Sequence, residues 1–173
     1  MKLLLENAYI IDPDNDDVKL GCLSIKDGKI SGVSFEKNNF NLKEYDKIIN
    51  CDEKYLAPGI VDVGVKICEP GERHKESFRT ASLAAAAGGV TTMITRPDTI
   101  PAIDTPEKLE FVKNRADKVS SVNIYTMAAL TRERLGLEMT EFGFLQDAGA
   151  VGFTDCDQVI SNNKIMSRCL AYA

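Results

Sequence analysis

Between Gly59 and Thr95 the hydrophobic rhythm of the chain changes twice, and that double change leaves few folds open to it. Gly59 to Ile67 is β-branched and apolar with polar interruptions, the pattern of a buried strand. A Pro70-Gly71 turn follows. Lys75 to Ala87 then reads as a helix, with a run of alanines (Ala84 to Ala87) and a stop at Gly88-Gly89. Val90 to Thr95 is a second β-rich run. Strand, helix and strand in so short a span make a βαβ unit, whose strands are parallel and whose crossover is almost always right-handed.

The alternation continues beyond Thr95. Thr105-Pro106-Glu107 suits a helix start, with Thr as N-cap, Pro at the first helical position and an acid in the first turn. Leu109, Val112 and Ala116 then fall on one helical face. Val122 to Met127 reads as a third strand of the series and Ala150 to Phe153 as a fourth. Short helices are expected over Thr131 to Leu135 and Glu141 to Ala148, and a further one from Lys164 to Ala173. The predicted class is therefore α/β: about four βα units, the first half of a TIM-type (β/α)8 barrel. A whole barrel takes about 250 residues, and half of one leaves two strand edges unpaired. The 173 residues thus read as an N-terminal fragment, a truncated product or an object that pairs with something.

Residues 1–54 form a separate section. Leu3 to Leu5, Ala8 to Ile11, Leu20 to Ile25, Ile30 to Phe35 and Lys47 to Cys51 are short strand candidates. The turn cluster Asp12 to Asp17 and the hairpin signal Asp27-Gly28 divide them. Asn38 to Asp46 reads as a polar loop. Strands with tight turns and no helix indicate a small β-layer. The expected domains are 1–54, the β-layer, and 55–173, the half-barrel.

Charge narrows the functional classes. A net charge of −5 without any Lys/Arg cluster argues against nucleic-acid or anionic-membrane binding. No apolar stretch approaches the ~20 residues needed to span a bilayer. The run Met1 to Leu5 is cut by Glu6-Asn7 before the ~7 apolar residues of a secretory core accumulate. Five cysteines (Cys22, Cys51, Cys68, Cys156, Cys169) without a C-x-x-C pair suit a reduced, cytoplasmic setting rather than a disulfide framework or a cysteine metal site.

Several blocks, in order, resemble the dihydroorotases, zinc-dependent cyclic amidohydrolases of pyrimidine biosynthesis. They are APGIVDVGVKICEPGERHKE from Ala57, AAAAGGVTTMITRPDT from Ala84 and GAVGFTDCD from Gly149. In that family the first barrel strand ends in Asp-x-His-x-His before Leu-Arg-Glu-Pro-Gly, and the second in Met-Pro-Asn-Thr. Here Gly64 and Lys66 stand at the two zinc-binding histidines. Cys68 stands at the substrate-binding arginine and Asp98 at the asparagine. The block at the fourth strand resembles the Phe-Thr-Asp-Asp-Gly segment of the long bacterial type, which makes Asp155 the one metal-ligand position retained; Cys156 replaces the second aspartate. Related hydantoinases place a carbamylated lysine near this strand end, where this chain has Thr154. The β-layer matches the one preceding the barrel in amidohydrolases. The resemblance is closest to the inactive relatives that have lost the zinc histidines.

The chemistry at these positions runs against hydrolysis. A catalytic zinc takes about three protein ligands and lowers the pKa of its bound water to near 7. A charged Lys66 offers no lone pair and repels a divalent cation. Two readings of Lys66 stand open: an ammonium in the vacated metal position, balanced by Asp155, Asp62 or Asp98, or a side chain reaching out to the barrel mouth. The single histidine, His74, reads as a loop or helix-entry residue, and Asp62 as a strand-end carboxylate on backbone amides. Arg96 and Asp98 can pair around Pro97. Cys68, with no histidine base, is a weak candidate nucleophile. By resemblance the chain is a non-catalytic structural partner of aspartate carbamoyltransferase, or associates with itself, and needs no cofactor. The alternative is an active dihydroorotase or related cyclic amidohydrolase with an altered zinc site.

Overall fold

Glu6 and Asn7 interrupt two apolar runs, yet the backbone carries on through them. In a computed structural model describing residues 1–14, 17–36 and 40–172, β1 is one strand, Lys2–Asp12. It pairs antiparallel with β2 (Asp17–Lys26), and the register shifts between Leu5↔Leu23 and Ala8↔Gly21, where Asn7 has φ 53°. The extra residue is a β-bulge. It lets Leu5 and Ala8, three apart in sequence, share one face, where Ala8, Ile10 and Leu23 form a small core with Leu5, Ile25 and Leu56 around it. The two strands expected here are therefore one.

Asp27-Gly28, both with positive φ, turns β2 into β3 (Lys29–Ser34). β4 (Lys47–Asn50) and β5 (Tyr55–Leu56) both run parallel to β1, giving a five-stranded sheet. The segment expected as a loop contains a 3-10 turn at Leu42–Glu44; Asn38 and part of the Asp12 to Asp17 cluster lie outside the described residues. The chain divides into two compact units, Met1–Pro58 and Gly59–Ala173. The division falls after Pro58 rather than at 54, because Tyr55 and Leu56 pair with Tyr9 and Ile10 of β1.

In the second unit β6 (Ile60–Val65), β7 (Val90–Thr95), β8 (Asn123–Ala128) and β9 (Ala150–Phe153) form one parallel sheet in sequence order. These four strands with their helices are the barrel half that the alternation predicts. α1 spans Phe78–Ala87, starting three residues later than expected. The reason is Ser77, whose side chain caps Thr80 N–H while the Thr80 hydroxyl accepts from Ser77 N–H, a capping box that sets the start. α2 (Pro106–Val119) begins as predicted, although the Thr105 side chain caps no backbone N–H. Leu109, Val112 and Ala116 are buried and join Ile67, Phe78, Met93, Ala128 and Leu145 in the core. The expected helix after β8 is only a 3-10 turn, Arg132–Arg134, because Glu133 has φ 52° and Asp104 Oδ2 accepts its N–H at 2.8 Å. α3 (Phe142–Asp147) and α4 (Asn163–Tyr172) follow their predicted positions. No helix among the described residues is long and apolar enough to cross a membrane.

Candidate functional site

Parallel strands deliver their C-terminal residues to one rim, and in open and closed α/β sheets ligands bind there. That rim gathers Lys66 after β6, Arg96 and Asp98 after β7, the Thr131–Arg134 turn after β8, and Asp155 to Asp157 after β9.

Asp98 is the centre of the cluster. Its side chain is 2% exposed, and its Oδ2 lies 3.0 Å from Lys66 Nζ and accepts from Arg96 Nη2 at 2.9 Å. Asp98 Oδ1 and Arg96 Nε are buried without hydrogen-bond partners. Burial pushes the Asp98 carboxyl up, but the hydrogen bond from Lys66 and the charges of Arg96 and Lys66 prevail, holding it below the usual carboxylate range. Lys66 is raised above the usual lysine value, first by its hydrogen bond to Asp98 and then by that carboxylate's charge.

The structure therefore selects among the partners considered for Lys66. The ion pair is with Asp98. Asp62 lies exposed on β6, and Asp155 is engaged elsewhere. The two readings of Lys66 merge, since its side chain is 55% exposed at the rim and its ammonium still sits on a buried carboxylate. Arg96 and Asp98 pair around Pro97 as expected.

Asp155, 3% exposed, is bound to the turn after β8. Thr131 N–H donates to its Oδ1 at 3.0 Å, and the Thr131 hydroxyl donates to its Oδ2. Gly136 N–H donates to Thr131 Oγ1 at 2.8 Å, so the hydroxyl's direction is set from both sides. Arg134 completes the rim: its Nε donates to the Asp155 carbonyl at 3.2 Å and its guanidinium pairs with Asp157. Thr131, Arg134 and Asp157 escaped sequence reasoning, because their contacts span 21 to 24 residues and no local pattern announces them. Cys68 and Cys156 are half-buried free thiols. His74 is exposed in the turn ahead of α1.

The residues at the end of the first barrel strand do not fit zinc. Gly64 brings no ligand atom, and its φ of +88° at a register shift between Val63 and Val65 is a conformation that a histidine would adopt only with strain. Lys66 brings a cation. Among the described residues no three His, Cys, Asp or Glu side chains converge as metal ligands would.

The charge cluster has a defined pH response. Because the Asp98 carboxyl is held below its ordinary value of 3.8, its contribution is present above that value and disappears as pH falls through the lower native one. Asp98→Asn is expected to cost about 1–3 kcal/mol at neutral pH. That gap should close in urea melts carried below pH 3.8. Lys66→Met should cost less than Asp98→Asn, because it removes the more exposed partner and leaves Arg96 on the carboxylate. Equal stability of wild type and Asp98→Asn at neutral pH would show that the cluster contributes nothing.

Comparison with known proteins agrees with this frame. A family model described as dihydro-orotase-like matches residues 53–173. A dihydroorotase of Wolbachia sp. subsp. Drosophila simulans is 42% identical over 99% of this chain and 38% of its own length. One from Ehrlichia canis is 38% identical over 96% of this chain and 37% of its own length. An L-hydantoinase from Arthrobacter aurescens superposes with a TM-score of 0.76 at 25% identity, covering 87% of this chain and 32% of the hydantoinase. The chain thus spans less than two fifths of the length of either dihydroorotase, and the part it spans is a fragment of the amidohydrolase barrel architecture. On the matched residues and these identities, the chain belongs to the dihydroorotase-like family.

Proposed function

We propose that this chain is a dihydroorotase-like protein of pyrimidine biosynthesis that does not hydrolyse, and that it acts as a structural partner of aspartate carbamoyltransferase in the cytoplasm. The observation that carries the reading is the ion pair at the metal position. Lys66, where the family has a zinc histidine, holds its ammonium 3.0 Å from the buried Asp98. A cation fixed there opposes a divalent metal electrostatically. The residue types at Gly64, Cys68 and Asp98 point the same way, since each has lost the group that the family uses for metal or substrate. The partner is supported by resemblance to the relatives that lack the zinc histidines. The compartment is supported by five free thiols.

A second reading, an active cyclic amidohydrolase with an altered site, is favoured by one observation: the relatives at 42% and 38% identity bear the name dihydroorotase. One experiment separates the two. The natural gene product is co-expressed with the aspartate carbamoyltransferase of its own organism, passed over a sizing column and assayed for dihydroorotate hydrolysis with and without added zinc. The proposal expects co-elution and no turnover above the buffer blank. Zinc-dependent turnover would establish the second reading instead.

A further inference from the structure

Arg134 is a largely buried cation on a strained turn, with a side chain 15% exposed. It and Glu133 both take left-handed backbone, φ 61° and 52°, which is uncommon for two successive non-glycine residues. Such outliers persist where the surroundings enforce them, and they gather at binding sites. Asp104 holds the first by accepting Glu133 N–H at 2.8 Å. The Asp155 carbonyl holds the second by accepting from Arg134 Nε at 3.2 Å. The rest of the guanidinium reaches the Asp157 carboxylate.

Arg96 approaches the same carboxylate from the end of β7. Its Nη2 donates to Asp98 and lies 4.0 Å from Asp157 Oδ1, beyond hydrogen-bond reach. Arg96 stands where the family's second-strand block has methionine, so this guanidinium is no part of that block. Two guanidiniums bordering one oxygen repel each other unless an anion lies between them. Asp157 supplies that anion incompletely, since it bonds Arg134 and stops short of Arg96. Lys66, Arg96 and Arg134 thus face Asp98 and Asp157, three cations against two carboxylates, while the Asp155 carboxylate is turned to Thr131.

We propose that Arg96 and Arg134 form a clamp for a dianionic phosphate group, and that Asp157 is a tethered plug which such a group displaces. A phosphate group carries close to two negative charges at neutral pH and three strong acceptor oxygens, so it can serve both arginines at once. Guanidinium meets phosphate through parallel N–H···O bonds, a geometry that lysine does not supply. The plug makes the clamp selective. Attached to the chain, Asp157 acts at an effective concentration on the order of millimolar, and a free monocarboxylate of equal charge must exceed it to compete. A dianion brings the charge that the plug lacks. The clamp lies at the C-terminal rim of a parallel sheet, the side from which ligands reach such sheets.

Titration calorimetry of the natural gene product with inorganic phosphate tests this, in neutral buffer whose ionic strength is held constant with chloride. The unmodified protein is expected to take up one equivalent with a Kd on the order of millimolar, because the plug must leave first. Asp157→Asn should bind at least about tenfold tighter, and adding Arg134→Gln to it should abolish the gain. Acetate should bind at least about tenfold more weakly than phosphate. Methyl phosphate distinguishes the sources of the group: tighter binding than inorganic phosphate assigns the clamp to a phosphate ester, equal binding to the free ion. If Asp157→Asn does not fold, Arg134→Gln alone decides by losing the uptake of the unmodified protein; unmodified protein without saturable uptake would then overturn the clamp. Unchanged affinity in Asp157→Asn, or acetate binding as well as phosphate, would overturn it too and leave a structural ion-pair network. These readouts involve neither hydrolysis nor co-elution, so they stand or fall apart from the function proposed above.

Discussion

Glu69→Ala is expected to lower the unfolding free energy by about 3–4 kcal/mol, the range for removing one member of a buried, hydrogen-bonded charge pair. Glu69 is 5% exposed and serves two helices at once. Its Oε2 accepts the first N–H of α1, from Phe78, at 3.0 Å; its Oε1 accepts from Arg115 Nε of α2 at 2.8 Å. Arg73 stands 3.6 Å from the same oxygen. Removing the carboxylate leaves an orphaned helix N–H and a half-buried guanidinium, and frees the start of α1 from the rim. Glu69→Gln keeps an acceptor and loses the charge, so it should cost less, about 1–2 kcal/mol. Urea unfolding measures both. A loss below about 1 kcal/mol for the alanine variant would show that the two helices are held by apolar packing alone.

Asp155→Ala is expected to cost about 2–5 kcal/mol, because two buried neutral donors lose their acceptor. The alanine strands two donors of Thr131, its N–H and its hydroxyl, in a site closed to water. Thr131→Val should reproduce part of the loss. The double variant should fall short of the sum, because both changes delete the same contact. Additive losses would mean that Asp155 acts through something other than Thr131. The distinction bears on the rim, since a carboxylate bound to the next turn fastens the loop after β9 to the loop after β8.

Much of the fold was legible because its signals are local. Strand runs, the Gly88-Gly89 stop, Pro106 at a helix start and the Leu109–Val112–Ala116 stripe each depend on neighbours within a few residues. What went unread depends on distance. The break at Glu6-Asn7 looks in sequence like a strand end, and only pairing with β2 makes it a bulge. Tyr55-Leu56 is too short to announce itself, and its strand exists because β1 offers a parallel edge. The start of α1 turned on the Ser77–Thr80 exchange, which outweighed the helix-compatible residues from Lys75 onward. At the site, the residue types at Gly64, Lys66 and Asp98 could be read in advance, whereas the choice of Asp98 over Asp62 and Asp155 could not. That choice depends on where the strand ends place the carboxylates: Asp98 lies 3.0 Å from Lys66, Asp155 is held by Thr131 and Asp62 is exposed.

Zinc titration of the purified chain by calorimetry at neutral pH, paired with melting curves in added zinc and in chelator, bears most directly on the idea that an ammonium has taken over the metal's place. The expected result is no saturable binding tighter than about 10 μM and superimposable melts in the two conditions. Stoichiometric zinc uptake that raises the melting temperature would contradict it, and would make Asp155 a candidate ligand again.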